Sequence, residues 1–249
     1  MKFPFSSMRT GAIAIFSGAL LLTMSACNKD NDNENNPDIP VAGLMAFNLA
    51  PDVSSAGIAL GGRNAVGNLP YGSFTGGYLA VYTGDRALES FNAASGARLA
   101  SGTYNFADSG YYSVFVVGTN NNYSNVLVKD DISDLAATGS AYIRYINAIP
   151  DSSQPNVKIG TAVNQAAAYK SVSSFSAVPA GSVAIAVSNG SNISATRNID
   201  VEANKIYTVL LSGQPAATGT GGVEIKFVSN GTIDATTGKS ASGTARSVN

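Results

Sequence analysis

Apolar residues along this chain fall in short runs, not in long helical periods. Clear examples are residues 142–146, 183–187, 207–211 and 223–227, which are rich in β-branched and aromatic side chains. Gly, Asn, Pro and Ser separate such runs, and no segment beyond the N-terminal region keeps a helical apolar period over three turns. Because each short strand needs a second sheet to cover its apolar face, the pattern predicts all-β, immunoglobulin-like antiparallel sandwiches.

The pattern of strands and turns occurs twice. Residues 44–52 resemble residues 142–151, and both segments end in Asn-x-x-Pro-Asp; residues 112–118 resemble residues 207–213. A repeat of about 100 residues is the size of a domain. We therefore predict two tandem sandwiches, over residues 41–138 and 139–231.

Two recurring details predict local structure. Asn-x-x-Pro-Asp is typical of a turn, because proline fixes φ and the Asp side chain accepts backbone hydrogen bonds. Residues 108–114 resemble the entry to an immunoglobulin strand F, which predicts that the Tyr112 hydroxyl caps the backbone upstream. The matching segment before Tyr207 is interpreted as one residue longer, which leaves its corner geometry open.

The N-terminal region is typical of a bacterial lipoprotein. Basic residues precede an apolar stretch over residues 11–24, which is shorter than the roughly 20 residues of a transmembrane helix. Small residues then lead to Cys27, the only cysteine. This segment resembles a lipobox, and the resemblance implies a signal peptide over residues 1–26 and lipid attachment at Cys27.

Residues 27–40 are polar and acidic, so they predict a lipidated, disordered tether. A Lys followed by acidic residues also resembles the surface-export signal of Bacteroidetes lipoproteins, although Asn31 and Asn33 interrupt the acids. A plain solvated linker is the alternative. We predict a lipid-anchored protein of a Gram-negative cell envelope, at the outer membrane and facing the exterior. Residues 232–249 contain mostly Gly, Ser, Thr and Ala and are predicted to form a disordered tail.

Composition narrows the chemistry of the chain. It contains no histidine and one cysteine, which excludes Ser-His-Asp and Cys-His catalysis, the usual zinc sites and intramolecular disulfides. From residue 39 onward there are 12 basic and 12 acidic residues, so no nucleic-acid partner is expected. We predict no catalytic residue, no cofactor and no enzymatic activity.

Together these segments resemble the bacterial secreted family called domain of unknown function 4397. The resemblance rests on the Asn-x-x-Pro-Asp turn, the Tyr-Gly-Ser sequence at residues 71–73 and the sequence at residues 141–147. It covers residues 41–231 in two copies, and it implies a β-sandwich fold and an envelope location but no catalytic residues. Lys170 stands where the first copy has Gly72, which leaves the conformation of that loop open.

Three sets of residues are candidates for chemistry. Asp130, Asp131 and Asp134 lie between the repeats, as calcium ligands or as part of a solvated linker. Asp85 and Glu89 are a candidate carboxylate pair for a hydrolase. The candidate ligand loops lie at equivalent positions of the two repeats, over residues 119–125 and 213–222. In the first loop the candidate ligand-binding residues are Asn120, Asn121, Asn122 and Tyr123.

We expect a non-catalytic binding or accessory module with a glycan or a surface protein as its ligand. A structural spacer in a surface assembly and a carboxylate-only hydrolase are the alternatives. The sequence leaves the ligand, the membrane leaflet and the packing of the two domains open.

Overall fold

A computed structural model describes residues 39–215, 222–234, 240–242 and 246–247. Residues from 39 onward form one compact unit, and the described part consists of strands and turns. Within it, no helix has the length and apolar character needed to cross a bilayer. The predicted signal peptide, Cys27 and most of the predicted tether lie outside the described residues.

The first repeat forms eight strands in two sheets. The strands are β1 (Val41–Asn48), β2 (Ser55–Leu60), β3 (Arg63–Pro70), β4 (Leu79–Tyr82), β5 (Gly84–Asn92), β6 (Arg98–Phe106), β7 (Tyr111–Thr119) and β8 (Asn122–Lys129). One sheet has the order β4-β1-β7-β8, and the other has the order β3-β2-β5-β6.

The second repeat forms eight strands with the same topology. They are β9 (Ala141–Asn147), β10 (Asn156–Ile159), β11 (Val163–Ala166), β12 (Ser176–Val178), β13 (Gly181–Ser188), β14 (Ser194–Val201), β15 (Lys205–Ser212) and β16 (Glu224–Ile233). The sheet orders are β12-β9-β15-β16 and β11-β10-β13-β14. The prediction of two tandem β-sandwiches is therefore confirmed.

The strand pairing adds one detail to the predicted antiparallel arrangement. In each repeat the first strand pairs in parallel with the seventh, β1 with β7 and β9 with β15, while the other pairs within each repeat are antiparallel. The first strand thus lies in the same sheet as the seventh and eighth, whereas an immunoglobulin constant domain keeps it beside the second. A parallel pair needs a long connection, and here the connection is most of the repeat.

The C-terminal segment differs from its prediction as a disordered tail. Two short strands lie in it: β17 (Ser240–Ser242) pairs with β16, and β18 (Arg246–Ser247) pairs in parallel with β4 of the first repeat. Strand pairing needs only backbone donors and acceptors at an open sheet edge, so a segment with few large apolar side chains is able to form it.

Three apolar layers hold the four sheets together. One core fills the first sandwich, one fills the second, and a third lies between the two repeats, where the sheets containing β1 and β9 face each other. Neighbouring residues on these strands enter different cores: Leu44 belongs to the first sandwich, whereas Met45 and Phe47 belong to the layer between repeats. We call the two sheets that contain β1 and β9 the inner sheets. The two sheets that contain β3 and β11 are called the outer sheets.

The predicted local motifs are present in both repeats. The backbone N–H of Ala107 donates to the Tyr112 hydroxyl at 2.9 Å, which confirms the tyrosine corner. The N–H of Glu202 donates to the Tyr207 hydroxyl at 3.1 Å. Both bonds span five residues, so the second corner has the same spacing as the first.

Buried asparagines hold the Asn-x-x-Pro-Asp turns. Asn48 donates to the carbonyl oxygens of Val53 and Leu69, and Asn147 donates to that of Ala167. These bonds confirm that the motif is a turn that is tied to the rest of its sandwich.

The loop that begins at Lys170 keeps the conformation of its counterpart. Lys170 has a φ of 70° and Gly72 a φ of 71°, so both lie in the left-handed region. The N–H of each donates to the main chain of the turn asparagine, Asn147 or Asn48. Replacing glycine by lysine has therefore left the backbone of this loop unchanged.

Candidate functional site

A buried ion pair lies between the two repeats. Arg144 on β9 and Asp130 after β8 are each 2% exposed, and Arg144 Nη1 lies 2.7 Å from Asp130 Oδ1. The other carboxylate oxygen of Asp130 accepts hydrogen bonds from the Tyr78 and Ser113 hydroxyls, both at 2.6 Å. The Arg144 guanidinium lies 4.5 Å from the centre of the Phe175 ring. The charges are thus paired and largely hydrogen-bonded, as burial requires.

Further hydrogen bonds extend this network into the second repeat. Arg144 donates from Nε to the Thr208 hydroxyl and from Nη2 to the Ser113 hydroxyl, both at 3.0 Å. Thr208 in turn donates to Asn230 Oδ1 at 2.6 Å. We call these residues the polar centre: Tyr78, Ser113, Asp130, Arg144, Thr208 and Asn230. Burial and the neighbouring Asp130 carboxylate raise the pKa of Tyr78, so its hydroxyl stays protonated and donates.

One of the three predicted calcium ligands, Asp130, belongs to the polar centre and pairs with Arg144 instead. Asp130 points into the layer between the repeats, whereas Asp131 and Asp134 are exposed. Among the described residues, no group of three acidic or other ligating side chains is close enough together to hold a metal ion.

The candidate carboxylate pair lies on one strand, with each carboxylate bonded to a neighbour. Asp85 accepts from the Asn105 amide at 2.8 Å, and Glu89 lies 3.4 Å from Arg98. The two residues are four positions apart on β5, which separates their Cα atoms by about 13 Å. Glycosidase carboxylates work about 5–10 Å apart, so this spacing does not favour the pair as an active site.

The candidate ligand loop of the first repeat is a tight hairpin between β7 and β8. Asn120 and Asn121 have φ values of 54° and 63°, the backbone of a two-residue hairpin turn in which Asn is favoured. The Asp52 carboxylate accepts from the Asn120 N–H at 2.7 Å and from the Tyr123 hydroxyl at 2.9 Å. Burial and Asp52 raise the pKa of Tyr123. These bonds explain the residue types as turn chemistry.

A ligand role for Asn120, Asn121, Asn122 and Tyr123 stays a prediction. Most of the equivalent loop in the second repeat, residues 216–221, lies outside the described residues. At its start, the Gln214 amide donates to the Thr119 hydroxyl at 3.1 Å, so the two loops begin side by side.

The sequence reasoning missed an open groove at the edge of the first sandwich. It has a volume of about 660 Å³ and runs between β3 of the outer sheet and β4 of the inner sheet. Leu60, Leu79 and Val81 supply apolar lining. Such a volume lies within the range of about 300–1,000 Å³ that is typical of ligand sites.

Polar and cationic side chains also line the groove. A turn at Gly61 and Gly62, with φ values of 56° and 78°, places Arg63 at the start of β3. Arg86 donates to the carbonyl oxygen of Thr83 at 2.7 Å, and its guanidinium lies 6.0 Å from the centre of the Tyr82 ring. Within the described part of the chain, no Asp or Glu lines the groove, which therefore favours an anionic ligand.

Exposed apolar side chains surround the same groove. In the described part, the large hydrophobic residues with the greatest exposure are Ile39 (58%), Tyr82 (56%) and Val41 (42%). Val41 pairs with Tyr82 across β1 and β4, and both line the groove. The available sequence signals were the Gly-Gly turn and an isolated Tyr on a short strand, neither of which indicates a groove by itself.

Comparison with known proteins identifies the family but not the ligand. The sequence profile of a domain of unknown function, DUF4397, matches residues 42–152 and again residues 141–242. No curated protein was found to match the chain. A similar solved structure is CBMbc, a family CBM26 protein from Eubacterium rectale Amy13K in complex with maltoheptaose. The identity is 11%, the match covers 75% of this chain and 96% of that one, and the TM-score is 0.23.

The topology and the matched regions define the class of this protein. It is a tandem β-sandwich protein in which two repeats share a buried polar centre. The chain belongs to the DUF4397 family, with one copy of the domain in each repeat.

Proposed function

We propose that this protein is a lipid-anchored, non-catalytic binding module of the bacterial cell envelope, with a glycan or a protein as its ligand. The observation that carries the binding role is the groove beside β4, an open site with apolar lining, an exposed Tyr and two arginines. Tyrosine rings stack on sugars and pack against peptides, and arginine binds carboxylates on either ligand.

A spacer role is the second candidate, because the shared core joins the repeats into one compact unit. A spacer needs no ligand site, whereas the groove leaves apolar surface exposed at a cost in solubility. We therefore favour binding over a purely structural role.

Binding to a glycan array and to immobilised mucin tests the proposal. We expect Arg63→Glu to lower the signal about tenfold, because it reverses the charge beside an anionic ligand. Lys158→Glu, on the exposed face of β10 in the second sandwich, is the matched charge control. Tyr123→Ala tests the hairpin. If Tyr123→Ala loses the signal and Arg63→Glu does not, the ligand binds at the hairpin and not in the groove. Equal losses in Arg63→Glu and Lys158→Glu would contradict specific binding in the groove.

The lipid anchor has its own test. Cys27→Ala removes the only thiol that is able to accept a diacylglycerol, so we expect the protein to leave the membrane fraction. Ser7→Ala, in the same signal region, is the control and should stay with the membrane. A Cys27→Ala variant that remains fully membrane-bound would contradict lipid anchoring.

A further inference from the structure

The outer edge of β4 already holds an added strand. Arg246 and Ser247 of β18 pair in parallel with Leu79 and Ala80 of β4. The corresponding edge strand of the second repeat, β12, is three residues long and has no added strand in the described part of the chain. The two edges therefore differ although the repeats share one topology.

Edge strands of this kind present unpaired backbone donors and acceptors to solvent. The pairing of β18 with β4 covers two residues, while β4 runs over Leu79–Tyr82. The exposed Tyr82 lies at the end of β4 beyond that pairing, and the exposed Val41 pairs with it from β1. An incoming strand would thus find both backbone groups and apolar side chains there.

The groove beside β4 suits alternate side chains of such a strand. In an added strand, every second side chain points to one face of the sheet, and pockets along that face give specificity. The half-buried Leu60 and Leu79 offer apolar contact in the groove, and Arg63 also lines it. Arg63 makes no hydrogen bond or ion pair that the described residues reveal, so its charge is available to a ligand carboxylate.

We propose that the β4 edge is a strand-addition site for an extended segment of a partner protein, with apolar residues on one face and a carboxylate that reaches Arg63. The chain's own β18 occupies part of this edge in the free protein and competes with that segment. The inference rests on the proposed binding function and names its ligand as a peptide. A glycan is less suited to this edge, because backbone pairing of the kind that β18 makes requires another peptide strand.

Fluorescence anisotropy with labelled peptides tests the inference on the full chain. The probe is a nine-residue peptide of alternating Val and Glu, and its counterpart alternates Val and Lys. We expect the Glu peptide to bind and the Lys peptide to bind about tenfold more weakly, because two arginines line the groove. Equal binding of both peptides would overturn the charge assignment.

Variants separate the site from its internal competitor. Arg246→Pro/Ser247→Pro removes two backbone donors from β18, so the Glu peptide should bind about fivefold more tightly, the equivalent of one net hydrogen bond. Arg63→Glu should weaken binding about tenfold, whereas the matched control Lys158→Glu should not. No binding to the proline variant, or equal weakening by both charge reversals, would overturn the proposal.

The same proteins on mucin and the glycan array distinguish this inference from the broader function. Groove-dependent glycan binding without peptide binding would overturn strand addition and leave the proposed binding function standing. Peptide binding that depends on Arg63 supports both.

Discussion

The two repeats have the same topology but different residues where they meet. Met45 pairs in register with Ser113 in the first repeat, and Arg144 pairs with Thr208 in the second. Tyr112 pairs with the residue before Asp130, and its counterpart Tyr207 pairs with the residue before Asn230. Asp130 and Asn230 therefore occupy matching positions in the two repeats. Three matched positions thus carry Met, Ser and Asp in one repeat and Arg, Thr and Asn in the other.

Because of this difference, the layer between the repeats contains one positive charge, on Arg144, and one negative charge, on Asp130. Two copies of the first repeat packed in this way would bury two carboxylates without an arginine, and two copies of the second would bury two arginines without a carboxylate. An unpaired buried charge costs several kcal/mol, so the polar centre favours pairing of unlike repeats.

The largest loss of stability is expected when Arg144 or Asp130 is replaced by the residue at the matching position of the other repeat. Arg144→Met gives the second repeat the residue of the first and leaves Asp130 buried without its cation. We expect a loss of about 3–5 kcal/mol in the free energy of unfolding, measured by urea denaturation. Asp130→Asn, which copies Asn230, should be similarly destabilising because Arg144 is then unpaired.

The double variant Asp130→Asn/Arg144→Met is the control for this exchange. Removing both charges should recover most of the loss, since a buried pair replaced by neutral groups is often close to neutral. If the double variant is as unstable as the sum of the single variants, the ion pair does not explain their effects.

A smaller difference lies inside the two sandwiches. Asn125 on β8 corresponds to Ile225 on β16, and in the described part of the structure neither amide atom of Asn125 has a hydrogen-bond partner. Asn125→Ile should therefore stabilise the protein by about 1 kcal/mol, because it removes an unsatisfied buried group. Thermal and urea unfolding measure the change.

The reciprocal variant tests whether an amide at this position is unfavourable in the second repeat as well. Ile225→Asn places an amide in the second sandwich, where we expect a loss of about 2 kcal/mol. A loss of stability in Asn125→Ile would instead indicate that the amide is satisfied in solution and is needed by the first repeat.

Much of the fold could be predicted because its signals are local. The Asn-x-x-Pro-Asp turns and the corner at Tyr112 depend on residues within a few positions of each other. The second corner has the same spacing as the first because Glu202 occupies the position of Ala107 and not that of Asp108.

The candidate site was harder to predict, because its parts are distant in sequence. Arg144 interrupts an apolar run whose pattern predicts a strand but no polar contact, and its partners come from both repeats. The groove forms between β3 and β4, which belong to two different sheets, and the strand that pairs with the edge of β4 comes from the C-terminal segment. None of these contacts leaves a periodic pattern in the sequence.

The sequence alone therefore determined the strands, the turns, the duplication and the class of fold, because these follow from the alternation of apolar residues and from local backbone chemistry. The tertiary structure decided that both faces of the inner sheets are buried, that Asp130 pairs with Arg144 and that a groove lies beside β4, whose edge β18 covers in part. These features depend on which surfaces pack together, and packing is a property of the whole folded chain.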